Sequence, residues 1–214
     1  MEQDVARSFS GQSPSFPETL DPDGWLRPAL RCPSPNFNDR PPGEVVSLLV
    51  IHNISLPPGQ FGGGYVERFF CNDLPVADHP YFLTIQDFRV SAHCLIARDG
   101  AMTQFVSLRD RAWHAGASSF GGRTNCNDFS IGVELEGADD LAYTAAQYLA
   151  LTGFTRLVQK FYPAITRERI VGHDTVAPGR KTDPGPAFDW DHYFDLLNQP
   201  SIGSPPLTGD PSCI

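Results

Sequence analysis

A chain of 214 residues, 41% of them hydrophobic, is long enough for one domain with a sizeable core. Its 25 acidic and 16 basic side chains give a formal net charge of −9, which argues against nucleic acid and anionic membrane as partners. No run of about 18 apolar residues is present to span a bilayer, and the first ten residues lack the basic patch and apolar core of a secretory signal, so a cytoplasmic protein is expected. Cys32, Cys71, Cys94, Cys126 and Cys213 are odd in number and contain no C-x-x-C pair, which suits reduced thiols better than a disulfide framework.

Residues 1–20 are polar and without apolar periodicity and read as a flexible extension. From Trp25 to Gly43 a proline-punctuated stretch is expected to lie extended over the domain. Val45 to Ile51 is a continuous apolar run with β-branched residues, the pattern of a strand buried on both faces, and His52 and Asn53 stand at its end. Prolines and glycines from Pro57 to Gly64 make a loop, and Val66, Phe69 and Phe70 suggest a short helix. Ala92–Ala97 and Ala101–Val106, joined through Asp99-Gly100, read as a hairpin.

Phe129 to Glu136 alternates cleanly, with Phe129, Ile131, Val133 and Leu135 on one face and Ser130, Gly132, Glu134 and Glu136 on the other. Glu134 is therefore a candidate functional carboxylate or a solvated residue on the outer face of an edge strand. Thr144 and Gln147 form a capping box for a helix to about Phe161, with Leu151, Phe154, Val158 and Phe161 as its buried stripe. Ile170 and Val171 lead as a short strand into His173. Asp189 can cap a last helix carrying Trp190, Tyr193, Phe194 and Leu197, and residues 200–214 read as a disordered tail. This order of elements predicts an α/β fold, a single domain over residues 21–199 with a mixed central β-sheet flanked by helices.

The loop Gly172–Gly185 gathers one imidazole, His173, one ammonium, Lys181, and one carboxylate, Asp183. A catalytic zinc takes three protein ligands and keeps a fourth position open, so this loop can supply two of the three. It equally reads as a surface loop with a solvated His173 and a Lys181–Asp183 pair.

Five stretches together carry more. V-I-H-N-I-S-L-P-P-G at 50–59, R-V-S-A-H-C-L-I at 89–96, R-A-W-H-A-G at 111–116, C-N-D-F-S-I-G-V-E-L-E-G at 126–137 and R-K-T-D-P-G-P-A-F-D-W at 180–190 resemble the AmpD branch of the zinc N-acetylmuramoyl-L-alanine amidase family, which includes phage T7 lysozyme and the peptidoglycan recognition proteins. The resemblance runs from about Trp25 to about Phe194. It implies the zinc amidase fold with one zinc per chain, held by His52, His173 and Asp183, with Glu134 as the acidic catalytic residue and Lys181 facing the transition state. Asp183 fits the AmpD branch, since the phage enzymes and recognition proteins usually have cysteine there. The sequence departs from that branch at Arg123-Thr124-Asn125, where basic residues are usual.

The resemblance implies a small-molecule substrate, an anhydromuropeptide cut between the lactyl group of the muramyl unit and L-alanine, in cytoplasmic peptidoglycan recycling linked to control of β-lactamase induction. With a net charge of −9, local guanidinium groups are needed to recruit the peptide carboxylates. Arg89 is the first choice and Arg123 the second, and both fit equally as surface residues paired with acids. Asn53 is expected to hydrogen-bond the substrate amide, and His93 and His114 to line or support the cleft. A monomer is expected. The alternatives are an exported cell-wall amidase, a muropeptide-binding module that does not cut, and a structural zinc domain.

Overall fold

The computed structural model describes residues 18–200. Six strands make the central sheet: β1 (Leu30–Arg31), β2 (Leu48–Ile54), β3 (Cys94–Ile96), β4 (Met102–Gln104), β5 (Ser130–Glu136) and β6 (Ile170–Gly172). Their spatial order is β6-β2-β5-β3-β4-β1, and every neighbouring pair is parallel except the β3–β4 hairpin, so the sheet is mixed as expected. The Asp99-Gly100 turn closes that hairpin with only Gly100 in the left-handed region, at φ +85°. The Gly100 N–H donates to the Ala97 carbonyl, and the Ala101 N–H to Asp99 Oδ1.

Strand period sorts the side chains of β2 and β5. Leu49, Ile51, Ile131, Val133 and Leu135 face a core completed by Leu151, Phe154 and Val158 of α3 (Ala145–Phe161) and by Tyr193 of α5 (Trp190–Asn198). On the other face Leu48 and Val50 pack with Phe129, Ala115 and Val176. Beside them α1 (Tyr65–Phe70) and α2 (Phe82–Ile85) cover Leu95 and Phe105. Burying one such side chain contributes about 1.5–3 kcal/mol.

The capping box of α3 is complete: Thr144 Oγ1 accepts from the Gln147 N–H at 3.1 Å, and Gln147 Oε1 accepts from the Thr144 N–H at 3.1 Å. Asp189 caps α5 by accepting from the His192 N–H at 2.9 Å.

Five expectations change. Phe129, grouped by alternation with Ile131, Val133 and Leu135, precedes β5 at the end of a 3-10 turn and so packs on the opposite face with Leu48 and Val50. The first long strand starts at Leu48 and runs through His52 to Ile54, because Val45 is 60% exposed and contributes nothing to the core. The stretch Trp25–Gly43 supplies the edge strand β1, and Phe37–Asn38 pairs with Arg111–Ala112, so it does more than drape the surface. Phe161 is 45% exposed and falls outside the α3 stripe. Thr19–Leu20, counted with the amino-terminal extension, pairs with Leu26–Arg27, and Leu20 packs on the core. The remainder of that extension, residues 1–17, and the tail from 201 to 214 lie outside the described residues.

Candidate metal centre

On the face that carries Leu48, Val50 and Gly132, the apolar pattern stops one step further along both strands. The next residues on that face are His52 on β2 and Glu134 on β5, which are direct register partners. β6 lies parallel to β2 with Gly172 opposite Ile51, so the following residue, His173, emerges beside His52 and opens the one-turn helix α4 (His173–Val176). The chain then loops back, and the Asp174 N–H donates to the Asp183 carbonyl at 3.0 Å, which returns Asp183 to His173. Gly172 permits the close return, since a Cβ there would meet Pro184 Cδ at 2.7 Å.

Three donor atoms converge. His52 Nδ1 lies 2.9 Å from His173 Nδ1, and each lies 3.0 Å from Asp183 Oδ2. His173 Nε2 stands 3.2 Å from the Ala115 carbonyl, an acceptor only, so the His173 proton sits on Nε2 and a lone pair remains on Nδ1. Donors held about 2.0–2.1 Å from a tetrahedral zinc stand roughly 3.3 Å apart, so the triangle fits such an ion. Burial presses the pKa of His52 down to about 4, which keeps the ring neutral and able to bind metal. Burial opposes the Asp183 charge, but the His173 and His52 rings held against its Oδ2 outweigh that burial and keep the carboxyl well below the ordinary range.

Glu134 lies beside this triangle, 8% exposed, and its Oε2 is buried without a hydrogen-bond partner. Burial first, and the Asp183 charge second, raise its pKa well above the ordinary carboxylate value. An unpartnered buried carboxylate oxygen costs free energy unless the site adds a partner or a charge, and a cation or its water at the triangle would do so. Lys181 is exposed, and its ammonium is near enough to act electrostatically on both Glu134 and His52.

A family model described as N-acetylmuramoyl-L-alanine amidase matches residues 42–186, which include all five of these residues. The chain belongs to the N-acetylmuramoyl-L-alanine amidase family. The 1,6-anhydro-N-acetylmuramyl-L-alanine amidase AmpD of Haemophilus influenzae is 55% identical over 174 residues, spanning 81% of this chain and 95% of that protein. A crystal structure of a Se-Met AmpD derivative, 54% identical, superposes with a TM-score of 0.81 over 84% of this chain and 99% of the other. AmpDh3 from Pseudomonas aeruginosa, solved in complex with anhydromuramic pentapeptide, is 30% identical, with a TM-score of 0.53 over 71% of this chain and 59% of that one.

The amidase places the other expected residues variously. Asn53 donates from Nδ2 to Asp139 Oδ1 at 2.8 Å and to the Pro184 carbonyl at 3.1 Å, so it fastens the loop carrying Asp183. Tyr143 donates to the same carbonyl at 2.7 Å. Arg89 is exposed and turned onto the carbonyls of Gln86 and Phe88. Arg123 forms a 2.7 Å ion pair with Glu44 and lies 4.0 Å above the Phe129 ring. His93 is fully buried under the sheet end, and His114 sits directly behind His52.

Two residues escaped the sequence reading. Arg180 donates to the Ala115 and Ala117 carbonyls at 2.6 and 2.8 Å, clamping the segment that orients His173. Its place directly before Lys181 was the available signal. Arg40 is half-buried and donates to the Asn127, Asp128 and Ser130 carbonyls, with its pKa pressed down to about 10 by desolvation. Nothing local to Arg40 marks that role.

Proposed function

We propose that this chain is a zinc amidase that hydrolyses the amide between the lactyl group of 1,6-anhydro-N-acetylmuramic acid and the L-alanine of the stem peptide, in peptidoglycan recycling. The observation that carries this reading is the convergence of His52, His173 and Asp183 to within 2.9–3.0 Å beside a buried Glu134 with an unpartnered oxygen. The AmpD relatives over most of the chain support the substrate class.

Zinc at such a donor set supplies Lewis acidity, which acidifies water and polarises a carbonyl. The residues divide the remaining work. Glu134, held in a dry position, takes the proton of the attacking water and passes it to the departing alanine nitrogen, a general base and then a general acid. Its raised pKa suits both directions of transfer. Lys181 presents a positive charge toward the oxyanion that develops on the substrate carbonyl. Asn53 and Tyr143 hold the Asp183 loop, and through it the third ligand.

A binding module that does not cut would lack a ligand or the acid, and all five residues are present. A structural zinc domain would close its coordination with a fourth Cys or His ligand; His114 lies nearby but meets the far nitrogen of His52. Among the described residues no helix is long and apolar enough to cross a membrane. The proposed location is the cytoplasm, which suits the free thiols of Cys32, Cys71, Cys94 and Cys126. Mass spectrometry of the products from a purified anhydromuropeptide, with and without a zinc chelator, tests the assignment. Release of free stem peptide that the chelator abolishes is expected; no cleavage by the zinc-loaded protein would sink it.

A further inference from the structure

Each imidazole has two nitrogens, and only Nδ1 of His52 faces His173 and Asp183. The other, Nε2, stands 2.9 Å from His114 Nδ1, and His114 Nε2 stands 3.1 Å from the hydroxyl of the fully buried Ser130. The two rings meet edge-on, with centroids 5.0 Å apart, so their contact is a hydrogen bond and not a stack. Room for the His114 ring exists because residue 132 has no side chain: a Cβ there would lie 2.4 Å from His114 Cγ and 2.5 Å from its Nδ1. Gly132 is itself pinned, its N–H donating to His93 Nδ1 at 3.0 Å while His93 Nε2 donates to the Asp110 carbonyl at 3.1 Å. The backbone of His114 is fixed too, since its N–H and that of Ala115 donate to Asn127 Oδ1 at 3.2 and 2.7 Å.

We propose that His114 is a positioning residue for the metal, accepting the His52 Nε2–H on its own Nδ1 and handing the same polarity on to Ser130, so that His52 keeps its Nδ1 lone pair toward His173 and Asp183. A neutral imidazole carries one N–H. A metal at Nδ1 therefore requires the His52 proton on Nε2, where an acceptor must hold it, and the partner of a ligating histidine sets its tautomer and ring orientation. His114 Nδ1 is an acceptor only while the His114 proton is on Nε2, and there the Ser130 oxygen receives it. The reverse polarity, begun by a Ser130 hydroxyl donating to His114, would end with a proton on His52 Nδ1 aimed at the metal position. Gly132 and His93 belong to the same device, one making the space and the other holding the strand that borders it.

This inference rests on the metal reading of the His52–His173–Asp183 triangle. The test measures zinc affinity by competition with a chromogenic chelator, and the His52 tautomer by long-range proton–nitrogen NMR of the zinc-loaded protein. His114→Phe keeps a ring without an acceptor and should bind zinc about 10–100-fold more weakly. His114→Gln offers an amide oxygen to His52 Nε2–H and should recover part of that loss, and Ser130→Ala should weaken binding by a smaller factor. His52 should be Nε2-protonated in the parent and a mixture in His114→Phe. Parent-like affinity and tautomer in His114→Phe would overturn the proposal, as would a His114→Gln no better than His114→Phe. If His114→Phe does not fold, unchanged affinity in both His114→Gln and Ser130→Ala overturns it. A parent that takes up no zinc overturns both this inference and the metal reading; a parent that takes it up while the variants match it overturns this inference alone.

Discussion

Glu134 and His52 are direct partners in the parallel register of the two central strands, so the candidate acid and the first candidate ligand are spaced by the sheet itself. A pair fixed by backbone hydrogen bonds needs no loop ordering to assemble, which favours transition-state interactions that are already in place. Glu134→Gln keeps the shape but cannot accept a proton, so kcat should fall about 10²–10⁴-fold. Zinc content should stay at one equivalent and KM should move much less than kcat, as for interactions made mainly in the transition state. Steady-state kinetics with metal analysis on the same preparation decides; near-parent kcat in metal-loaded Glu134→Gln would remove the residue from the mechanism.

Lys181 is exposed, yet its charge reaches Glu134 and His52, and no ion pair with Asp183 occupies it among the described residues. Lys181→Met retains the aliphatic stem and loses the charge, and kcat should drop by about 10²–10³-fold with zinc retained. A loss of zinc instead would show that Lys181 acts on the site's assembly.

Chelation should abolish turnover and leave the fold, because the apolar cores on the two faces of the sheet are built without the triangle. Far-ultraviolet circular dichroism before and after chelator should superpose. His52→Ala, His173→Ala and Asp183→Ala should each fail to hold a zinc equivalent, and a full equivalent in any of them excludes that residue as a ligand.

Arg123 is committed to Glu44 and to the Phe129 ring, 49% of its side chain remaining exposed. Arg123→Ala should therefore leave KM within about twofold and cost about 1 kcal/mol or less in stability, the range of an exposed ion pair with a cation–π contact. A KM rise of tenfold without loss of stability would return Arg123 to substrate recruitment.

What could be read from the chain was whatever its partners in sequence decide. The Thr144–Gln147 box lies within three residues, the Asp99-Gly100 turn within two, and the apolar run ending in His52 announces a buried strand on its own. Alternation assigned Glu134 to a face but not what covers that face, and the reading of a solvated residue on an edge strand fell only when β5 took a central place, buried along all seven residues. The His52–His114 contact spans 62 positions and the Arg123–Glu44 pair 79, separations over which no local pattern speaks. Gly132 read as a small neighbour of Glu134; its purpose, space for a ring from another segment, exists only in three dimensions.

His93 carries the last expectation, which concerns pH. Burial, and then repulsion from the Arg40 guanidinium, push its pKa from an ordinary 6.5 down to about 3, and both ring nitrogens are engaged in the neutral form. The unfolded chain then binds the proton more readily than the folded one, so the contribution of His93 is complete above about pH 6.5 and is lost as pH falls toward 3. The slope is about 1.4 kcal/mol per pH unit, or roughly 2 kcal/mol between pH 6.5 and 5. His93→Gln can still accept from Gly132 and donate to Asp110 but does not titrate. Urea unfolding of the chelated protein at pH 7.5 and 5.0 should show the parent losing about 2 kcal/mol more than His93→Gln. Equal losses in the two proteins would mean that His93 is not held neutral by the fold.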